Sequence, residues 1–170
     1  KILRLLLADP RPERATEVIP EGQHTIVTDF WEGPTVLATR SKLYVIYQLG
    51  GPSELRVFNL DGSAQHGPEQ PPVSAVTSLV PLSDDSLLFR LESYVIPPAW
   101  IWFDGSSGST RPTALRETSV IDGSAWQVRR ELATSRDGTE VPLNILLPAG
   151  VQQDGTSPCV AGGYGGFGVN

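Results

Sequence analysis

Leu43-Tyr44-Val45-Ile46, a turn, and then Val57-Phe58-Asn59-Leu60-Asp61-Gly62 decide the fold, because the arrangement occurs twice. The second copy runs Leu87-Leu88-Phe89-Arg90, a turn, then Trp100-Ile101-Trp102-Phe103-Asp104-Gly105. The two Asp-Gly pairs stand 43 residues apart. Each copy reads as an apolar strand, a proline-containing turn, an aromatic-rich strand and Asp-Gly. A period of about 40–45 residues with four strands per unit is the mark of β-propeller blades. A plain sandwich of similar hairpins is the rival reading. Two blades do not close a ring, so the pattern predicts further blades before Lys1.

The surrounding sequence is rich in strand signals and poor in helix signals. Fifteen prolines and seventeen glycines punctuate the 170 residues, which leaves little room for a long helix. Apolar and β-branched runs lie between them: Ile2–Ala8, Thr25–Trp31, Thr35–Ala38, Lys42–Gln48, Leu55–Leu60, Val76–Val80, Leu87–Leu91 and Trp100–Phe103. The character changes after Arg116. Thr118–Ala125 is polar and reads as a linker. Two longer strands follow, Trp126–Thr134 and Val141–Leu147, joined by a loop containing Asp137-Gly138, a strong hairpin signal. After a second loop, Ala149–Pro158, a short buried strand is expected at Cys159-Val160-Ala161.

Composition narrows the class. Hydrophobic residues make up 39%, enough for a core. No apolar run reaches the length of a membrane span, and neither the core nor the cleavage site of a signal peptide is clear. The net charge is -6, and no basic cluster exceeds Arg129-Arg130, so a nucleic-acid footprint is missing. The lone Cys159 excludes an internal disulfide and reads as a buried small hydrophobe. The absence of methionine and the start at Lys1-Ile2 are expected of a segment from a longer protein.

Candidate chemistry concentrates in Ala161-Gly162-Gly163-Tyr164-Gly165-Gly166-Phe167-Gly168-Val169-Asn170. Glycines permit backbone dihedrals and close approaches that side chains forbid. Two aromatics mounted among them suggest a surface that meets a ligand. The cluster also matches Gly-x-Gly-x-x-Gly, but Tyr164 and Phe167 inside the turn would obstruct a pyrophosphate. No Gly-x-Ser-x-Gly elbow occurs, and Ser53 lacks the second glycine. His24 and His66 read as surface or turn residues. No spacing suggests a metal site, and no cofactor is expected.

Thr134-Ser135-Arg136-Asp137-Gly138-Thr139-Glu140-Val141-Pro142 resembles the hairpin that opens the hydrolase domain of the prolyl oligopeptidase family of serine peptidases. Asp154-Gly155-Thr156-Ser157-Pro158 and then Gly163-Tyr164-Gly165-Gly166-Phe167 are similar to the family's next strand and oxyanion loop. The likeness covers the whole chain, closely over 126–170 and loosely over 1–118. It implies a mainly β segment: about two C-terminal blades of a β-propeller (1–118), a linker (119–125), and the first strands of a truncated α/β-hydrolase domain (126–170). Tyr164 is similar to the tyrosine whose hydroxyl donates to the oxyanion of the tetrahedral intermediate. Phe167 is similar to the phenylalanine lining the proline-accepting pocket, and Gly163, Gly165 and Gly166 let the substrate carbonyl approach.

The resemblance further implies a parent serine endopeptidase that cuts short peptides after proline, with the propeller filtering substrate size. The relatives called oligopeptidase B usually carry Ser-Tyr where Gly166-Phe167 stands here, which tilts the reading towards proline. Dipeptidyl peptidases of the wider clan usually show a histidine-containing loop instead. The departure is as informative: the nucleophile, acid and base are all absent from these residues, so this chain is expected to be inactive alone. The expected partners are short proline-containing peptides, not nucleic acid or membrane, with self-association through exposed blade edges. The expected location is cytoplasmic, with periplasmic as the second reading. The alternatives are an oligopeptidase B-like peptidase cutting after basic residues and a non-catalytic propeller interaction module. A Gly-x-Ser-x-Gly in the coding sequence beyond Asn170 selects the enzyme.

Overall fold

A computed structural model describes residues 1–28 and 33–163. Strand β1 (Ile2–Arg4) pairs with β2 (Thr16–Ile19), and a 3-10 turn at Pro12–Arg14 lies between them. The next sheet is built around β5 (Lys42–Gln48). One edge of β5 takes both β3 (Thr25–Ile26) and β4 (Val36–Ala38). Its other edge takes β6 (Ser53–Asn59), which pairs with β7 (Ala64–Gln65). The following sheet is an antiparallel meander of β8 (Ser74–Pro81), β9 (Ser86–Ser93), β10 (Ala99–Asp104) and β11 (Thr110–Arg116). A hairpin of β12 (Gln127–Thr134) and β13 (Glu140–Leu147) comes last. Among the described residues there is no α-helix. The two repeated units are thus two successive antiparallel blades, the partial propeller that the repeat predicts.

Period-two alternation determines which side chains fill the space between the blades. From the first blade, Tyr44, Ile46, Leu55 and Val57 point into it. From the second come Val76, Leu79, Leu87, Phe89, Leu91 and Phe103. Tyr44 meets Phe103 edge to face, with ring centroids 6.3 Å apart. Each large side chain buried here stabilises the stack by roughly 1.5–3 kcal/mol. The opposite face of the first blade buries Leu43, Val45, Tyr47 and Phe58 against Ile19, Ile2 and Val18 of the β1–β2 sheet. Strand β5 is therefore covered on both faces, which is why its sequence is apolar almost without interruption.

Polar joints fix the angle of the stack. The buried Asp85 carboxylate accepts from Thr39 Oγ1 at 2.7 Å, Ser41 N at 2.7 Å and Ser41 Oγ at 2.6 Å, all from the neighbouring blade. Its own carbonyl accepts from the Tyr44 hydroxyl and from Gly105 N. Ser53 Oγ donates to the Val76 carbonyl at 2.9 Å and accepts from Val76 N at 2.8 Å, tying β6 to β8. The repeated Asp-Gly turn acquires a reason here. A Cβ on Gly105 would overlap the Tyr44 hydroxyl, and one on Gly62 would overlap the Val18 carbonyl. In both blades that glycine lies against the preceding sheet.

Several sequence expectations are corrected. The run Ile2–Ala8 is strand only as far as Arg4; Leu6 then bridges back to Asp9, and Leu7 is 96% exposed. Cys159-Val160-Ala161 is not a strand, Cys159 is exposed rather than buried, and Val160 is 99% exposed. A buried strand needs a partner on at least one edge and a covering layer, and none reaches these residues among the described ones. Strands β2, β7 and β11 have no counterpart in the sequence reading.

Candidate functional site

The β12–β13 hairpin holds full register from Gln127↔Leu147 to Thr134↔Glu140. Its loop closes through Ser135 N to the Thr139 carbonyl at 2.7 Å and Gly138 N to the Ser135 carbonyl at 2.9 Å. Gly138 has φ +86°, a conformation that disfavours any side chain. The Asp137 carboxylate accepts from Thr139 N at 3.0 Å, and that backbone bond is the main cause holding its pKa below the usual value. The next turn repeats the device, with Asp154 accepting from Thr156 N at 3.0 Å and Thr156 Oγ1 at 2.7 Å. The chain then runs without regular structure to Gly163. Tyr164, Gly165, Gly166 and Phe167 lie outside the described residues. Gly163 is exposed, with nothing within 4 Å of a Cβ built on it.

Of the other residues weighed for chemistry, Ser53 and His24 have structural partners. The Ser53 hydroxyl is committed to the backbone of Val76 on both its donor and acceptor sides. His24 Nδ1 stands 2.7 Å from Arg56 Nη2 on the surface. His66 is exposed in the loop after β7. Among the described residues, no three His, Cys, Asp or Glu side chains gather as metal ligands would.

A cavity of about 650 Å³ opens where the hairpin meets the blades. Pro52, Tyr94, Ile96, Pro98, Trp126 and Asn144 supply much of its wall. Its apolar and aromatic surfaces can bury a nonpolar group, and Asn144 brings an amide to the rim. Arg90, on the second blade, pairs with Glu92 at 3.2 Å and with Glu117 at 3.5 Å, and both glutamates also line the cavity. The stretch before the hairpin reaches the same place: a Cβ on Gly123 would come within 3.1 Å of Val95 Cβ. Among the described residues, two side chains carry the hairpin's hydrogen bonds to the blades. Arg130 Nη2 donates to the Gly50 carbonyl, and its Nη1 donates to Asn144 Oδ1 at 3.1 Å. Asn144 Nδ2 donates to the Tyr94 hydroxyl at 3.0 Å. Sequence reasoning noted Arg130 only as half of a basic pair. The signal that could have found it is Gly50-Gly51, two glycines beside a turn proline.

Comparison with known proteins gives a consistent set. No family model matches the chain. The peptidase y4nA of Sinorhizobium fredii is 27% identical over 168 residues, covering 97% of this chain and 22% of that protein. The prolyl endopeptidase of Elizabethkingia meningoseptica is 23% identical over 88 residues, covering 52% of this chain and 12% of that protein. Among solved structures, one from a study of two prolyl endopeptidases superposes with a TM-score of 0.72 at 23% identity, covering 92% of this chain and 22% of its own. Oligopeptidase B from Trypanosoma brucei gives 0.66 at 19% identity, covering 86% and 21%. The resemblance to the prolyl oligopeptidase family is borne out. The chain spans about a fifth or less of the length of these relatives.

Proposed function

We propose that the chain is the blade-to-hydrolase portion of a serine endopeptidase that cuts short peptides on the carboxyl side of proline. The observation that carries this reading is the sequence Gly163-Tyr164-Gly165-Gly166-Phe167 placed after the β12–β13 hairpin, in a chain similar along 168 residues to a peptidase. In this reading residues 1–118 are blades, 119–125 the linker and 126–170 the opening of the hydrolase domain. The Tyr164 phenol donates a hydrogen bond to the oxyanion, and Phe167 offers a flat apolar wall to the pyrrolidine ring. The blades restrict access to short peptides, and the protein works in the cytoplasm or periplasm. A preorganised donor to a developing oxyanion lowers the barrier by about 2.7–4 kcal/mol.

Two experiments test it. In the complete protein, Tyr164→Phe should lower kcat by roughly a hundredfold to a thousandfold with folding unchanged; an unaltered kcat removes Tyr164 from the mechanism. The 170 residues contain no Gly-x-Ser-x-Gly elbow, so the chain by itself should not turn over a proline-containing chromogenic peptide. Turnover blocked by a serine-reactive inhibitor would show that the nucleophile lies within it. The likeness to an oligopeptidase B fold keeps cleavage after basic residues as the second reading. Paired substrates with proline or arginine at the cleaved position separate the two.

A further inference from the structure

We propose that Arg130 and Asn144 form a latch that ties the β12–β13 hairpin to two consecutive blades at once, coupling the seat of the hairpin to the spacing of those blades. The two residues face each other across the hairpin in register. From that shared point one arm reaches each blade. Arg130 donates to the Gly50 carbonyl in the β5–β6 turn of the first blade. Asn144 donates to the Tyr94 hydroxyl in the β9–β10 loop of the second, 3.0 Å away. These are corresponding turns in the two blades, joining β5 to β6 and β9 to β10. The 3.1 Å bond between Arg130 and Asn144 closes the bridge.

The first turn is shaped for this contact. Gly50 and Gly51 have φ of +74° and +139°, and a Cβ on Gly51 would stand 2.7 Å from Arg130 Nη1. The guanidinium therefore lies across a pair of residues whose positive φ disfavours side chains, and at Gly51 a side chain would also strike it. Its planar fork sends two nitrogens in two fixed directions, one to the carbonyl and one to Asn144, which a single ammonium does not reproduce. The joint also differs in burial from the contact between the blades. The blades share a buried apolar cluster and the sheltered polar bonds of Asp85 and Ser53, whereas the latch's far end, Tyr94, is 58% exposed. Exposed hydrogen bonds contribute little net stability and open readily. The hairpin can thus release while the blades stay stacked. Asn144, Tyr94 and Gly51 all line the junction cavity, so release of the latch widens it.

The test is hydrogen exchange in the complete protein, followed by mass spectrometry, and it does not depend on which peptide the protein cuts. Arg130→Ala should speed exchange about tenfold in β12, β13 and the 49–52 turn, and also in residues 94–97, to which Arg130 is joined only through Asn144 in the hydrogen-bond bridge. Tyr94→Phe should produce a smaller rise at the same places, and Arg130→Lys should resemble Arg130→Ala more than the parent. The double change Arg130→Ala with Asn144→Ala should exceed the larger single change only slightly, since both cut one bridge. Exchange in β5 and β9 should stay as it was. An unaltered hairpin, a rise confined to 49–52, or an equal rise in β5 and β9 would each overturn the latch. The first means no coupling, the second a private contact, and the third general loss of the fold.

Discussion

Asp85 shows how one side chain sets the geometry between blades. It is 6% exposed, and its carboxylate receives three hydrogen bonds from Thr39 and Ser41 of the neighbouring blade. Burial alone pushes its pKa up. The bonds from the Ser41 hydroxyl, Ser41 N and Thr39, with the nearby Lys42 charge, outweigh burial and bring it below 3.8. A carboxyl whose pKa is depressed by folding contributes stability that is complete above its ordinary pKa and is lost as the pH falls through the folded value. Tyr44, which donates to the carbonyl of the same residue, behaves oppositely. Burial, then the charges of Asp85 and Asp104, push its phenol up, so it remains a donor across the ordinary pH range. Asp85→Asn should therefore cost about 1.5–3 kcal/mol near neutral pH. The gap to the parent should close as the pH drops below 3.8. Denaturant unfolding of both proteins across that range checks it, and a gap that stays constant with pH would assign the loss to packing instead of charge.

At the scale of elements, legibility follows how local the cause of each element is. Strand β5 was readable to the residue, Lys42–Gln48, because its apolar run is bounded by its own turns. The β12–β13 hairpin was readable because Asp137-Gly138 sits between two strand-like runs. Strand β11 was not, since Thr110-Arg111-Pro112-Thr113 is polar and holds a proline, which only an edge position tolerates. Strand β7 has two residues and no pattern to detect. The opposite error, a buried strand at Cys159-Val160-Ala161, came from apolar residues whose covering partners are not among those described. Asp-Gly-Ser/Thr recurs at Asp61, Asp104, Asp122, Asp137 and Asp154, and every time the aspartate accepts from the backbone two residues on. That is local chemistry, and sequence exposes it. The latch joins residues 80 and 50 positions apart, so no local pattern announces it. Tyr164 and Phe167 were legible only as a motif, through resemblance.

For the molecule as a whole, the unequal treatment of blade faces makes the last prediction. Both faces of the first blade are covered, one by the second blade and one by the β1–β2 sheet. The second blade buries Leu87, Phe89 and Phe103 towards the first, so alternation turns Leu88, Trp100 and Trp102 the other way. In register, Trp102 lies beside Leu88, and Val80 beside Leu88 is 40% exposed. Arg111 rests 4.3 Å above the Trp102 ring and shields it only in part. The sheet edges invite association less than this face does: β7 is two residues long, and β11 carries Pro112. Apolar faces of this kind associate from micromolar concentrations upward. The isolated 170-residue chain should therefore sediment as a concentration-dependent dimer or larger species, and Leu88→Glu with Trp100→Glu should return it to a monomer with its strand content intact. If the parent chain stays monomeric at every concentration, the face is protected as it stands. If only changes along β7 or β11 abolish association, pairing runs through the edges after all.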